Sequence, residues 1–92
     1  MEYPTNPKNI SAVEFEAMKP AIGTKVIGYV GTCEYRLTVV PFPSVGGLGV
    51  SYREAKSPFT HRWQDQGSVF GPYPFSTFIF GVSSRRKIGV FK

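Results

Sequence analysis

Apolar and polar residues alternate along much of the chain after residue 24, and a period of two predicts β-strands. The cleanest alternation covers residues 33–40, where one face of the predicted strand is apolar and the other is polar. The apolar positions of this run are Cys33, Tyr35, Leu37 and Val39. Similar runs predict further strands at residues 25–30, 48–53, 68–70, 75–82 and 87–91.

The last two runs, 75–82 and 87–91, predict a β-hairpin. Both faces of its first arm are apolar, which is typical of a central strand. The polar tip at residues 83–87 ends in three consecutive cations, Arg85, Arg86 and Lys87. We therefore expect the arms to lie in the core and the tip to be the densest positive charge of the chain.

A short helix is predicted before the strands, at residues 11–19. Ser11 and Glu14 have the spacing of a capping box, in which each side chain accepts a hydrogen bond from the other residue's backbone. Pro20 ends the helix, because proline disfavours helical geometry at the residue before it. Residues 1–10 contain two prolines and predict an extended arm.

Two proline-containing segments, 41–43 and 71–74, are predicted to stop strands, because proline donates no hydrogen bond to a ladder. Residues 54–67 follow neither a helical nor a strand period. They predict a long irregular connection, and such connections often carry function.

Together these elements predict one domain over residues 1–92 of the α+β class, with mainly β structure. The extended arm (1–10) precedes the helix (11–19), which packs on the β-structure formed by residues 25–91. That structure is a small antiparallel sheet, or a partly open barrel, of five to six strands.

The uneven distribution of charge adds a functional expectation to this predicted fold. The net charge is +5, yet residues 1–52 hold four cations and four acids, whereas residues 53–92 hold seven cations and two acids. The whole excess therefore lies in the C-terminal half, which indicates an anionic partner on that side.

The sequence lacks the motifs that are typical of several functional classes. One cysteine, Cys33, and one histidine, His61, match no zinc spacing and allow no internal disulfide. No signal peptide or membrane-spanning run is visible, so we expect a cytoplasmic chain in a reducing compartment. No cofactor, metal or catalytic motif is present, and we expect a protein that is not an enzyme.

Candidate binding residues combine cations with aromatic rings, as needed to contact phosphates and stack on bases. They fall in the hairpin tip, after the third strand, in the irregular connection and in the proline-containing segment 71–74. They are Arg53, Lys56, His61, Arg62, Trp63, Tyr73, Arg85, Arg86 and Lys87. The leading hypothesis is a non-enzymatic binding or inhibitor protein, of the kind phages and mobile elements encode, for nucleic acid or a nucleoprotein complex.

Three alternatives remain open from the sequence. An oligomeric protein that sequesters a nucleotide could use the same arginines and aromatics between protomers. A metal-independent ribonuclease could use Glu54 or His61 as a base, with arginines holding the phosphate. A protein–protein interaction module could use the aromatic residues as its interface. Exposed aromatics and open sheet edges would favour a homo-oligomer in each case.

Overall fold

A computed structural model describes residues 3–4, 7–60 and 62–83 of the 92-residue chain. One α-helix and six strands lie in these ranges, together with two 3₁₀ turns at Pro43–Val45 and Phe75–Thr77. In chain order the elements are β1 (Pro7–Ile10), α1 (Ala12–Ala17), β2 (Lys25–Val30), β3 (Cys33–Phe42), β4 (Gly47–Lys56), β5 (Gln64–Tyr73) and β6 (Ile79–Ser83).

The six strands form one antiparallel sheet in the order β1-β6-β2-β3-β4-β5. Strands β2 to β5 follow one another as neighbours, whereas β6 returns to lie between β1 and β2. Within the described ranges β1 and β5 are the two edges, so the sheet is open and does not close into a barrel. The predicted class, a short helix with a small antiparallel sheet of five to six strands, is confirmed.

Helix α1 begins at the predicted capping box. The Glu14 backbone N–H donates to Ser11 Oγ over 3.1 Å, and the Ser11 N–H donates to Glu14 Oε1 over 3.3 Å. The helix ends at Ala17, two residues earlier than predicted, because Lys19 has a positive φ of 52° before Pro20. A helix of six residues is not stable alone, so its packing against the sheet must hold it in place.

The core lies between α1 and one face of the sheet, and we call this the helix face. Phe15 of α1 is fully buried there against Phe75 and Phe80. The alternation predicted for β3 is confirmed, since Leu37 and Val39 are also fully buried. The other buried apolar residues of this cluster are Ile10, Val26, Val50, Phe78 and Val82.

The prediction that residues 1–10 form an arm missed a strand. Residues 7–10 are extended, but they pair with β6, placing Ile10 opposite Phe80. This segment is a strand only because it pairs with β6, about seventy residues away, and no local alternation of apolar and polar residues predicts it.

The predicted irregular connection at 54–67 was wrong in extent, because β4 continues to Lys56 and β5 begins at Gln64. Strand β5 also runs through the predicted stop at 71–74 as far as Tyr73. The strand predicted at residues 68–70 is therefore the middle of a longer one. Nearly all of β5 is exposed, so neither of its faces needs the apolar residues that would reveal its full length. Positive φ values at Gly67 and Gly71 accompany the shifts in its register with β4.

Pro41 does not stop β3, which continues to Phe42. The Val39 N–H donates to the Thr24 carbonyl on the β2 side of the strand. The nitrogen of Pro41 points to that same side, beyond the end of β2, where the ladder requires no donor. Proline is therefore tolerated there while Pro41 pairs with Leu48 on the β4 side.

The predicted hairpin is described only in its first arm. Residues 75–77 are a 3₁₀ turn, not a strand, and β6 begins at Ile79. As predicted for an arm with two apolar faces, β6 is an interior strand. The hairpin tip beyond Ser83 and the second arm at 87–91 lie outside the described residues. No helix in the described part of the chain has the length and apolar character needed to cross a membrane.

Candidate functional site

The face of the sheet opposite α1 carries mainly polar and charged side chains, with Ile27 of β2 buried among them, and we call it the open face. Alternation along β3 puts Arg36 and Thr38 on this face, since Leu37 points into the core. The register then adds Lys25 of β2, opposite Thr38, and Glu54 of β4, opposite Arg36. The open face therefore collects charged residues from three adjacent strands.

A row of cations and aromatic rings crosses this face, and we call it the cation–aromatic row. The guanidinium carbon of Arg36 lies 4.5 Å from the Trp63 ring centroid and 5.5 Å from that of Tyr3. Lys56 Nζ is 5.3 Å from the Trp63 centroid, and Lys25 Nζ is 5.4 Å from the Tyr3 centroid. Cations at these distances are attracted to the face of the ring. Arg36 thus lies between two aromatic side chains that come from outside the strands.

Tyr3 is held on the open face by a hydrogen bond as well as by the cations. Its hydroxyl lies 3.2 Å from Thr38 Oγ1, which also accepts a hydrogen bond from Lys25 Nζ over 3.4 Å. The residue is half-buried, although it precedes the first strand. Tyr3 therefore completes the row from the side opposite Trp63.

Two ion pairs cross from β3 to β4 within the same face. Arg36 Nη1 donates to Glu54 Oε1 over 3.1 Å, and Lys56 Nζ lies 3.9 Å from Glu34 Oε1. All four side chains are partly exposed, so each pair contributes little to stability. Their effect is to hold the side chains of Arg36 and Lys56 beside the Trp63 ring.

Arg53 occupies a β-bulge. Arg36 pairs with Glu54 and Leu37 pairs with Tyr52, which leaves Arg53 as the extra residue in β4. Bulges re-aim a side chain relative to the regular alternation. The Arg53 side chain reaches β5, where its Nε donates to both carboxylate oxygens of Asp65 over 3.0 and 3.2 Å.

The environment of Asp65 favours its charged form. The backbone N–H of Gly67 donates to Asp65 Oδ1 over 2.8 Å, and this bond together with the Arg53 contact lowers the pKa of the carboxyl group. A carboxylate with a lowered pKa is a weak base. Asp65 is therefore suited to orient Arg53, and its surroundings do not favour a role as a general base.

A shallow groove of about 110 Å³ opens between the β3 and β4 side chains on this face. Two guanidinium groups and one carboxylate contribute to its lining. The residues that line it are Tyr3, Arg36, Thr38, Ser51, Tyr52, Arg53, Glu54 and Val69.

A second group of aromatic rings lies on the helix face, beyond the area that α1 covers. The Tyr52 ring centroid is 4.7 Å from that of Tyr35, 5.4 Å from that of Phe70 and 6.0 Å from that of Tyr73. Burial raises the pKa values of Tyr35 and Tyr52. Phe70 remains 38% exposed at this edge.

The structure brings together Arg53, Lys56 and Trp63 of the predicted site residues, all on the open face. Tyr73 lies on the helix face, so it does not share a site with Trp63. Arg62 is exposed in the connection between β4 and β5, where its carbonyl accepts a hydrogen bond from Thr60. The remaining predicted residues, His61, Arg85, Arg86 and Lys87, lie outside the described residues.

Sequence reasoning did not include Tyr3, Lys25 and Arg36 among the site residues. The alternation along β3 did place Arg36 on a polar face, but a polar face is by itself the ordinary surface of a half-buried strand. The informative signal is the coincidence of Arg36 with rings from residues 3 and 63, which only the tertiary fold produces. In the described part of the chain, no group of three or more histidine, cysteine or acidic side chains could hold a metal ion.

Comparisons with protein-family models, curated proteins and solved structures gave no match.

Proposed function

We propose that the chain is a non-enzymatic binding protein that takes single-stranded nucleic acid on the open face of its sheet. The observation that carries the proposal is the position of Arg36 between the Trp63 and Tyr3 rings, with Lys25 and Lys56 beside them. The ligand is free nucleic acid or an exposed strand of a nucleoprotein complex.

The distribution of charge supports an anionic ligand on this face. The described ranges contain seven cations and five acids. The two cations and two acids in β1 and around α1 balance one another, so the excess of two lies on the open face and in the adjoining connection. The cations of that group are Lys25, Arg36, Arg53, Lys56 and Arg62, and its acids are Glu34, Glu54 and Asp65.

The type of aromatic contact supports a single strand over a duplex. Unstacked bases bind to aromatic rings and to guanidinium planes, whereas the bases of a duplex are already stacked on one another. Trp63, Arg36 and Tyr3 offer three such planes across neighbouring strands. A strand lying along this row would exchange the contacts between these side chains for contacts with its bases.

The groove volume favours this proposal over enclosure of a nucleotide within a single protomer. Pockets that enclose a small ligand usually measure about 300–1,000 Å³. The groove on the open face is about 110 Å³, which favours contact with part of a polymer over enclosure of a whole nucleotide. The ribonuclease alternative draws no support from Glu54 and Asp65, since both carboxylates are held in ion pairs with arginines.

Trp63 is the single tryptophan of the chain, so its fluorescence reports on the proposed site directly. We expect oligothymidylate or oligouridylate to quench this fluorescence, with an affinity that falls steeply as salt increases. Removing one base–aromatic stack costs about 1–3 kcal/mol. Trp63→Ala should therefore weaken binding about 5- to 150-fold. Fluorescence anisotropy of a labelled oligonucleotide measures this change.

Two matched variants test where the ligand binds. Lys25→Gln removes a cation from the open face, and Lys8→Gln removes one from β1, so both lower the net charge equally. We expect Lys25→Gln to weaken oligonucleotide binding and Lys8→Gln to leave it nearly unchanged. Equal effects of the two variants, or no binding by the unaltered protein at low salt, would overturn the proposal.

A further inference from the structure

We infer that the groove between Arg36 and Arg53 is a site for one phosphate group. The inference rests on the proposed function and deepens it, because it assigns the backbone of the ligand to the groove and its bases to the cation–aromatic row. The chemistry that recognises the ligand is that of a phosphate oxyanion, either within a phosphodiester or free in solution.

Arg53 has donors available for such a group. Its Nε makes both hydrogen bonds to Asp65, and its two terminal nitrogens have no hydrogen-bond or ion-pair partner among the described residues. The Asp65 contact therefore fixes the guanidinium plane while leaving its outer edge open. That edge presents parallel N–H groups in the geometry that binds a phosphate through two hydrogen bonds.

Arg36 also contributes a donor without a partner. Its Nη1 donates to Glu54, but its Nε is buried and makes no hydrogen bond to any described residue. A buried polar atom without a partner lowers stability, and native structures contain few of them. Because Nε is buried, a ligand oxygen in the groove meets the outer edge of the Arg36 guanidinium, where Nη2 makes no hydrogen bond to a described residue.

Hydroxyl groups complete the lining between the two arginines. Thr38 and Ser51 lie directly opposite each other on β3 and β4, and both line the groove. Hydroxyl groups of serine and threonine commonly donate to phosphate oxygens in nucleic-acid complexes. Glu54 also lines the groove, so the lining itself holds two cations and one carboxylate, while Asp65 pairs with Arg53 from outside it.

The size of the groove agrees with one phosphate group. A cavity needs about 10–15 Å³, measured in the same way as the groove, to hold one water molecule. The groove, at about 110 Å³, holds several times that volume, yet it is smaller than a nucleotide requires. It therefore fits the phosphate and excludes enclosure of the attached sugar and base.

The test uses a variant that removes the Arg53 donors without changing the net charge. Arg53→Gln with Asp65→Asn removes both members of an exposed ion pair, so folding should be retained. The control, Glu16→Gln with Lys19→Gln, removes one acid and one cation near α1. Binding of oligothymidylate to each protein is measured over a range of salt concentrations.

If the groove holds one phosphate, the slope of log affinity against log salt should fall by about 0.7 in the first variant, as expected for one lost contact with a single strand. The control should keep the original slope. Arg53→Lys, which keeps the charge but loses the planar fork, should weaken binding while keeping most of the slope. An unchanged slope and affinity in the Arg53→Gln and Asp65→Asn variant would overturn the groove assignment and leave the proposed function standing.

Inorganic phosphate distinguishes a site for free phosphate from a site for a phosphodiester. It is added to each protein, and its effects on thermal unfolding and on oligothymidylate binding are measured. Stabilisation by phosphate that the double variant lacks, without any binding of oligothymidylate, would support the groove as a phosphate site and overturn the proposed function. Absence of both kinds of binding would overturn both.

Discussion

Phe15 of α1 stacks on Phe80 of β6, with ring centroids 4.2 Å apart and ring planes 15° from parallel. Both side chains are fully buried, so this contact joins the helix to an interior strand. We expect Phe15→Ala to lower the free energy of unfolding by about 3–5 kcal/mol, because it leaves a cavity in the core.

Chemical denaturation measures that loss, and Val13→Ala is the control. Val13 lies on the same helix and is 77% exposed, so its truncation should change the free energy of unfolding by less than about 0.5 kcal/mol. Equal effects of the two substitutions would show that α1 does not pack as described.

Gly28 in β2 is predicted to tolerate no side chain. A Cβ atom there would collide with Leu37 and would lie 2.9 Å from Phe78 Cδ1, and both neighbours belong to the core. Gly28→Ala should therefore destabilise the fold by about 1–3 kcal/mol through overpacking. Gly47→Ala is the matched control, since nothing lies within 4 Å of the Cβ position there. Thermal unfolding of both variants checks the difference, and a melting temperature equal to that of the Gly47 variant would contradict it.

The capping box at Ser11 gives a prediction that depends on the type of replacement. Ser11→Ala removes the acceptor of the Glu14 N–H and should cost about 1 kcal/mol, whereas Ser11→Gly should cost only a few tenths. Comparing the unfolding free energies of the two variants measures this order. A larger loss for glycine than for alanine would contradict capping as the source of stability.

Asp65 should titrate below its usual pKa of 3.8, because Gly67 and Arg53 both donate to its carboxylate. A carboxyl group whose pKa is lower in the folded state stabilises the fold at a pH above its unfolded pKa, and this contribution is lost as the pH falls through the folded value. Stability should therefore decrease on the acid side, and Asp65→Asn should make that decrease shallower.

Titration of the Asp65 carboxyl signal by NMR tests the order of the two causes. In Arg53→Ala the pKa should rise but remain below 3.8, because the Gly67 bond is the larger cause and is retained. A full return to 3.8 in that variant would assign the whole effect to Arg53.

The sequence predicts those elements whose signals are local. The capping box of α1 and the alternation in β3 are complete within a few residues, and both predictions were confirmed. Strand β5 was predicted only at residues 68–70, because an edge strand exposed on both faces needs no apolar period along its full length. Strand β1 escaped prediction because its partner, β6, lies about seventy residues away along the chain.

The candidate site was also predictable only where its residues are near one another in the sequence. The sequence singled out Trp63, Arg53 and Lys56, which are close to one another along the chain. It could not pair Arg36 with Trp63 or Tyr3, because those contacts depend on the fold of the whole sheet. The cationic tip at residues 85–87 stays a prediction, and charge reversal at Arg85 and Arg86 should weaken binding while leaving folding nearly intact.

The position of β6 between β1 and β2 has a consequence for synthesis on the ribosome. Strands β2 to β5 can pair with their neighbours as each emerges, but β1 has no partner until β6 has been translated. Contacts between such distant segments slow folding and leave strand edges unpaired in the meantime. The nascent chain therefore exposes the β6 side of β2 until β6 has been translated, so pairing along that edge is the latest step in assembling the described sheet.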